Sequence, residues 1–338
     1  MSQAMSQIPA DRDQPTVATR MARSVSRTRE IGVLLALVIL CVAMSFLSPY
    51  FLTPLNVFNV LRGMSTIGIM AIGMTMVIVS GGIDLSVGSI LAASGMLAAR
   101  LMTYNNVSPW LAALAGILMG LGLGAVNGLV ITRLKIAPFI ATLGMLSIAR
   151  GLTYLLAQGL EGTVASNIPM RDESVNFLGA GYLGIVPFPV IEMVVLVIVA
   201  TLFLNHTVLG RQIYAVGSNE QAARLSGVNP DRVRFFVYTL TGGLAGLAGL
   251  MSAGLLATAA TNAGLGSELD VIAAVFIGGA SPAGGAGTII GSIIGAAIMA
   301  VLRNAFVLLK FPVYLQTIAI GVVIILAVAL DELRKRRR

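Results

Sequence analysis

The sequence is poor in charged residues. Only 11% of its 338 residues are charged, whereas 57% are hydrophobic and the mean hydropathy is +0.92. Soluble globular domains carry about 25% charged residues, so this composition excludes a sizeable soluble domain. The apolar runs are about 17–23 residues long and lack period-2 alternation, so they predict membrane-spanning helices and not barrel strands.

Cysteine, histidine and lysine are also scarce. Cys41 is the single cysteine and lies inside the first apolar run, so no disulfide framework is expected. With His206 as the single histidine, no His, Cys and carboxylate cluster is available for a metal. None of the three lysines follows a glycine, so the chain has no ATP-binding P-loop. We expect neither a cofactor nor enzymatic activity.

Ten apolar segments divide the chain, and they predict an all-α polytopic membrane protein with about ten transmembrane helices. Residues 31–332 form the predicted transmembrane domain. It lies between a disordered basic tail at 1–30 and a basic tail at 333–338. The eighth segment is too short to cross a core about 30 Å thick unless it is tilted or broken. The segments are 31–47, 61–79, 85–101, 110–131, 139–157, 190–204, 235–256, 269–280, 288–302 and 313–330.

The basic residues indicate how the chain is oriented. An even number of spans puts both termini on one side, and most of the 22 lysines and arginines then fall on that side. By the positive-inside rule this side is the cytoplasm. The net charge of +8 therefore points to the lipid bilayer as the partner of these residues, and not to nucleic acid.

A polar stretch interrupts the apolar sequence between the second and third segments. A charged group at membrane depth costs roughly 3 kcal/mol on insertion scales, so the chain must turn, cap a helix or perform a function there. Asp84 is a good N-cap residue, and it is also a candidate for the translocation path. The glycines permit turn geometry or form a gating hinge. The candidates in this stretch are Gly81, Gly82, Asp84, Ser86, Gly88 and Ser89.

The same pattern recurs near the C-terminus, which predicts two glycine-broken helix pairs related by an internal repeat. Gly81-Gly82 aligns with Gly278-Gly279, and Asp84 then aligns with Ser281, which precedes a proline and predicts a helix start. Glycine-interrupted helices in repeats are a recurring transporter design. Asn127 is either a residue of the path or a hydrogen-bonding residue between helices.

Glycines at four-residue spacing predict close helix packing in the fourth segment. They are Gly116, Gly120, Gly124 and Gly128.

The polar loop at 205–234 contains a short predicted helix. Ser218 would cap this helix, and a glycine ends it. Such a surface helix suits docking to another protein, although a solvated connector is the alternative. The candidate coupling residues are Gly217, Ser218, Asn219, Glu220, Ala222, Ala223, Ser226 and Gly227.

From about residue 30 to 332 the chain resembles the membrane permease subunits of sugar ABC importers, the ribose, xylose, arabinose and galactose permease family. The resemblance rests on the stretch Gly81–Ser89, on the loop around Gly217–Gly227 and on Phe276–Ser281. It implies a homodimeric pore in the bacterial inner membrane, an ATP-binding subunit that docks on the loop, and a periplasmic sugar-binding protein. Ribose is favoured among the sugars.

Two other functions stay open. One is a secondary carrier or facilitator that works without an ATPase, although the scarcity of intramembrane carboxylates disfavours proton coupling. The other is a branched-chain amino acid permease of the ABC class. Its zwitterionic substrate would call for charged residues along the path, and the sequence has few of them.

Overall fold

The computed structural model describes residues 17–159 and 163–336, and most of them are helical. Two short antiparallel strand pairs accompany the helices: β1 (Asn167–Pro169) pairs with β4 (Thr258–Ala260), and β2 (Tyr182–Leu183) with β3 (Val186–Pro187). The helices are α1 Val17–Leu47, α2 Pro54–Val79, α3 Val87–Thr103, α4 Pro109–Arg133, α5 Pro138–Leu156, α6 Glu173–Ala180, α7 Phe188–His206, α8 Val208–Ser218, α9 Glu220–Leu225, α10 Pro230–Leu256, α11 Ser267–Ile277, α12 Ile289–Leu308 and α13 Val313–Arg336.

In the described part of the chain, seven helices are long and apolar enough to cross a membrane, namely α1 from Glu30 onward, α2, α4, α5, α7, α10 and α12. α3 and the Val313–Leu326 part of α13 are apolar but shorter. An all-α polytopic membrane protein is therefore supported, and the count of ten spans stays a prediction.

The eighth predicted segment corresponds to α11, which begins inside the helix bundle. Its 11 residues span about 16 Å at 1.5 Å per residue, roughly half of a bilayer core. The loop before it lies against the beginning of α3, where Gly264 packs backbone to backbone on Gly88. α11 is therefore too short to cross the bilayer core by itself.

The predicted tails lie partly outside the described residues, at 1–16 and 337–338. Within the described residues α1 already begins at Val17, so the helix covers residues 17–30, for which the sequence suggested disorder. At the other end α13 continues to Arg336. Both helices extend beyond the predicted apolar segments.

α10 lies at the centre of the bundle and packs against α2, α3, α4 and α6. Its contact with α4 uses the predicted glycine face. A Cβ on Gly120 would overlap the carbonyl oxygen of Gly242 and lie 2.9 Å from the Cα of Gly246. Gly124 and Gly128 meet the α10 backbone in the same way. Small residues allow this close approach, and the packing prediction for α4 is confirmed.

We predict that Gly120→Ala destabilises the α4–α10 contact by about 1–3 kcal/mol, because the added methyl overpacks a backbone contact. The measurement is the thermal unfolding midpoint of the detergent-purified protein. Gly122→Ala is the matched control, since Gly122 lies on the same helix and has nothing within 4 Å of its Cβ position. Equal midpoints for the two variants would contradict the predicted role of the contact.

Candidate functional site

The first helix break follows the C-terminus of α2. The amide of Gly82 donates to the carbonyl of Val77 at 2.9 Å, and that of Gly81 donates to Ile78 at 2.9 Å. This is a Schellman motif, which needs a left-handed residue just after the helix. Gly81 supplies that residue with φ +85°.

The second break repeats this motif after α11. The amide of Ala280 donates to Val275 at 3.1 Å, and that of Gly279 donates to Phe276 at 3.0 Å. Gly279 has φ +92° and is therefore the counterpart of Gly81. The alignment from sequence, which placed Gly278 opposite Gly81, is wrong by one residue. A single left-handed residue stops the helix, and two adjacent glycines do not reveal which of them it is.

The predicted cap at Ser281 is also wrong. α12 begins seven residues later, and its N-cap is Thr288, whose Oγ1 accepts from the amide of Gly291 at 3.0 Å. Ser281 instead forms a turn in which its carbonyl accepts from the amide of Gly284 at 2.9 Å. Gly284 and Gly285 both have left-handed φ, +83° and +72°, so no helix can continue from Ser281 and Pro282.

Asp84 stabilises the turn before α3. Its side chain is completely buried. Oδ1 accepts from the amide of Ser86 at 2.8 Å and from its Oγ at 2.5 Å. The N-cap position of α3 belongs to Ser86, so Asp84 holds the turn and does not cap the helix amides themselves. Asn127 of α4 donates to Ser86 Oγ at 2.9 Å, which is the hydrogen bond between helices that the sequence left open.

α10 also holds this turn, because the hydroxyl of Tyr238 donates to the Ile83 carbonyl at 3.3 Å. Thr142 in α5 lies 3.4 Å from the same carbonyl, while its hydroxyl donates to Pro138 of its own helix at 2.9 Å. The predicted candidates Gly88 and Ser89 lie in the first turn of α3 and are buried. Gly88 faces the loop before α11. Hydrogen bonds from α4 and α10 thus hold the turn of the first break.

Both breaks and the end of α8 meet in one place, which we call the glycine junction: Gly81, Gly217, Gly284 and Gly285. The amide of Gly285 donates to the carbonyl of Val79, the last residue of α2, at 2.9 Å. A Cβ on Gly284 would lie 2.8 Å from the carbonyl oxygen of Gly217 and 3.1 Å from the Cα of Gly81. The structure therefore brings the candidate coupling residue Gly217 next to the candidate gate residue Gly81 and into backbone contact with the loop that follows the second break.

The short helix α9 starts one residue later than predicted. Its N-cap is Asn219, whose Oδ1 accepts from the amide of Ala222 at 3.0 Å, and Ser218 is the last residue of α8. Ala223 is buried, whereas Ala222 is exposed. Gly227 follows with φ +83° and ends the segment as expected.

Ion pairs fix α9 to the beginning of α10. Glu220 pairs with Arg224 at 2.9 Å and with Arg234 at 2.6 Å. The hydrogen bonds from Arg224 and Arg234 lower the pKa of Glu220 below its usual 4.5. The stabilisation is therefore complete at neutral pH and is lost as the pH falls through the lowered pKa. Lys135, before α5, also reaches Asp231 at 2.8 Å.

Sequence reasoning missed several residues. Leu225 at the end of α9 is 91% exposed, and its apolar character within a polar loop was the available signal. The buried Asp270 pairs with Arg303 of α12. Tyr238 and Thr142 carried no signal, because a single hydroxyl in an apolar helix is common.

We predict that Asn127→Ala lowers the thermal stability of the protein by about 1–3 kcal/mol, since it removes a buried hydrogen bond and leaves space in the core. The unfolding midpoint in detergent checks this expectation. Val126→Ala is the control on the neighbouring exposed position. If both variants unfold at the same temperature, Asn127 does not hold the turn.

Comparison with known proteins gives consistent matches over most of the chain. The profile of a permease family, described as the branched-chain amino acid transport system permease component, matches residues 56–328. No solved structure matches.

Curated relatives cover nearly the whole chain. The ribose import permease protein RbsC of Escherichia coli (strain K12) is 43% identical over 299 residues, which are 88% of this chain and 92% of that protein. RbsC of Bacillus subtilis (strain 168) is 42% identical over 90% of this chain and 93% of its own length. The L-arabinose ABC transporter permease protein AraH of Azospirillum brasilense is 34% identical over 100% of this chain and 98% of its own length.

Proposed function

The chain belongs to the family of transport-system permease components whose profile it matches, and we propose that it is the permease subunit of an ATP-driven monosaccharide importer. Three relatives with matching length are named as permeases for ribose or L-arabinose. The two with the higher identity are ribose permeases, so ribose is the proposed substrate. The observation that carries this proposal is the 43% identity over 299 residues.

The proposed importer needs partner chains. The sequence has no P-loop, so ATP hydrolysis belongs to a separate ATP-binding subunit. A sugar-binding protein delivers the substrate at the opposite face of the membrane. We further propose a homodimer of this chain in the bacterial inner membrane, with both termini in the cytoplasm as the distribution of basic residues suggests.

In the proposed mechanism α9 docks on the ATP-binding subunit. Leu225 and Ala222 present a small apolar surface, while the pair of Glu220 with Arg234 links α9 to α10. Movement of α9 passes along α8 to Gly217. At the glycine junction it reaches the ends of both broken helices, which then open the path to one side or the other.

The first test of this proposal is sugar uptake by proteoliposomes that contain the permease and its ATP-binding subunit, with the sugar-binding protein outside and ATP inside. We expect ATP-dependent uptake of labelled ribose that vanadate abolishes. Uptake that persists with vanadate, or without the ATP-binding subunit, would establish a secondary carrier or facilitator instead.

A second candidate is a branched-chain amino acid permease, because the description of the matching family names that class. The same proteoliposomes distinguish the two functions. Accumulation of labelled leucine, together with its own binding protein, and no accumulation of ribose would favour this candidate.

Coupling has its own prediction. We expect Leu225→Ser to reduce substrate-stimulated ATPase activity about tenfold, since it removes an apolar contact at the centre of the proposed docking surface. Glu220→Arg, which breaks the ion pairs of α9, is expected to act in the same direction. Leu183→Ser is the matched control, because Leu183 is also exposed but lies in β2. Unchanged ATPase activity in Leu225→Ser would refute the docking role of α9.

A further inference from the structure

A cavity of about 100 Å³ lies between α3, α10 and the residues that follow α10. Its floor consists of small residues of the two helices, among them Ala92, Gly95 and Gly249, and its roof is the segment 258–263. Its volume is several times the roughly 10–15 Å³ that one water molecule requires. The cavity is therefore large enough for a small polar ligand.

The lining combines small apolar residues with neutral polar groups. Ser252, Thr258 and Asn262 are the polar residues of the lining; Asn262 lies at the exposed edge, and the Thr258 hydroxyl donates to the carbonyl of Ile168 at 3.0 Å. Among the described residues that line the cavity, none is charged. A neutral molecule that carries hydroxyls fits this chemistry, whereas a zwitterion would leave its charges without partners.

Arg150 of α5 fixes the backbone that carries Asn262. Its Nη1 donates to the carbonyl of Thr261 and to that of Ala263, both at 2.9 Å. These carbonyls lie on either side of Asn262, so the guanidinium holds the backbone of the loop that carries this residue. Glu268 in the first turn of α11 interacts electrostatically with Arg150.

The cavity lies within the helix bundle at the level where α11 begins. Gly88, at the start of α3, contacts Gly264 just beyond the roof segment. Discontinuous helices that end near the middle of the bundle are typical of transporter substrate sites.

We propose that this cavity is a monosaccharide subsite on the translocation path, with Asn262 as a sugar contact and Arg150 as the residue that positions it. This inference rests on the proposed function. The side-chain amide of Asn262 hydrogen-bonds a sugar hydroxyl, and the small residues of α3 and α10 leave room for the ring. The subsite discriminates between sugars that differ in one hydroxyl.

The test compares uptake of ribose and 2-deoxyribose by the complete importer in proteoliposomes. Asn262→Ala is expected to reduce ribose uptake about tenfold. It is also expected to lower the ratio of ribose uptake to 2-deoxyribose uptake. Leu265→Ala is the matched control, because Leu265 is exposed on the same loop but does not line the cavity. Arg150→Gln should also lower the ratio of ribose uptake to 2-deoxyribose uptake. Arg150→Lys should give a ratio between those of Arg150→Gln and the wild type. Lost stability alone would reduce uptake of both sugars equally.

A second measurement probes the cavity directly. In a Cys41→Ser background, Ala260→Cys places a thiol in the cavity lining. Ribose is expected to slow its modification by a small methanethiosulfonate reagent at least about threefold under turnover. Ala137→Cys, at an exposed position before α5, should show no protection. If Asn262→Ala does not accumulate in the membrane, this measurement alone decides whether ribose occupies the cavity.

The outcomes separate the two proposals. If the wild type takes up ribose while Asn262→Ala behaves like Leu265→Ala and ribose gives no protection, the subsite is refuted and the permease function stands. If the wild type takes up no monosaccharide at all, the proposed function fails, and the subsite fails with it.

Discussion

A backbone group that leaves a helix inside a bilayer must find a partner within the protein, and this constraint underlies both helix breaks. In hydrocarbon an unpaired amide or carbonyl costs several kcal/mol. At the ends of α2 and α11 the chain meets the constraint with two Schellman motifs. In the turn before α3, side chains pair with the free backbone groups. Asp84 accepts from the Ser86 amide, and Tyr238 donates to the Ile83 carbonyl.

Arginine side chains supply hydrogen bonds to backbone carbonyls at other places where a helix ends or a loop begins. Arg150 donates to the carbonyls of Thr261 and Ala263, and Arg100 of α3 donates to those of Leu156 and Gln158 after α5. Each of the two arginines donates to two carbonyls through a single nitrogen, Nη1.

Much of the fold could be predicted from the sequence, because apolar runs and glycine spacing are local patterns with direct structural meaning. The membrane class, the helix stops at Gly81 and at the second glycine pair, and the glycine face of α4 all follow from such patterns. Errors arose where two adjacent residues could play one role. Gly278 and Gly279 could both end α11, and Ser218 and Asn219 could both cap α9. Ser281 suggested a helix start that Gly284 and Gly285 prevent.

The arrangement of the site could be predicted only in part. Gly81 and Gly217 were separate candidates for gating and coupling, yet nothing local indicates that residues 136 positions apart are in contact. Likewise the depth at which α11 begins depends on how the loop before it packs on α3. Such long-range contacts are set by the shape of the whole bundle and leave no trace in a single sequence window.

The glycine junction has a mechanical consequence. Side chains that connect two moving elements can absorb a small displacement by changing rotamer. At the junction backbone meets backbone, and no side chain lies between Gly217 and Gly284. No rotamer change can absorb a displacement at such a contact. We therefore expect a shift of α8 by a fraction of an ångström to displace both the end of α2 and the turn before α12. The three segments are then expected to move together, so that one displacement reaches both helix breaks.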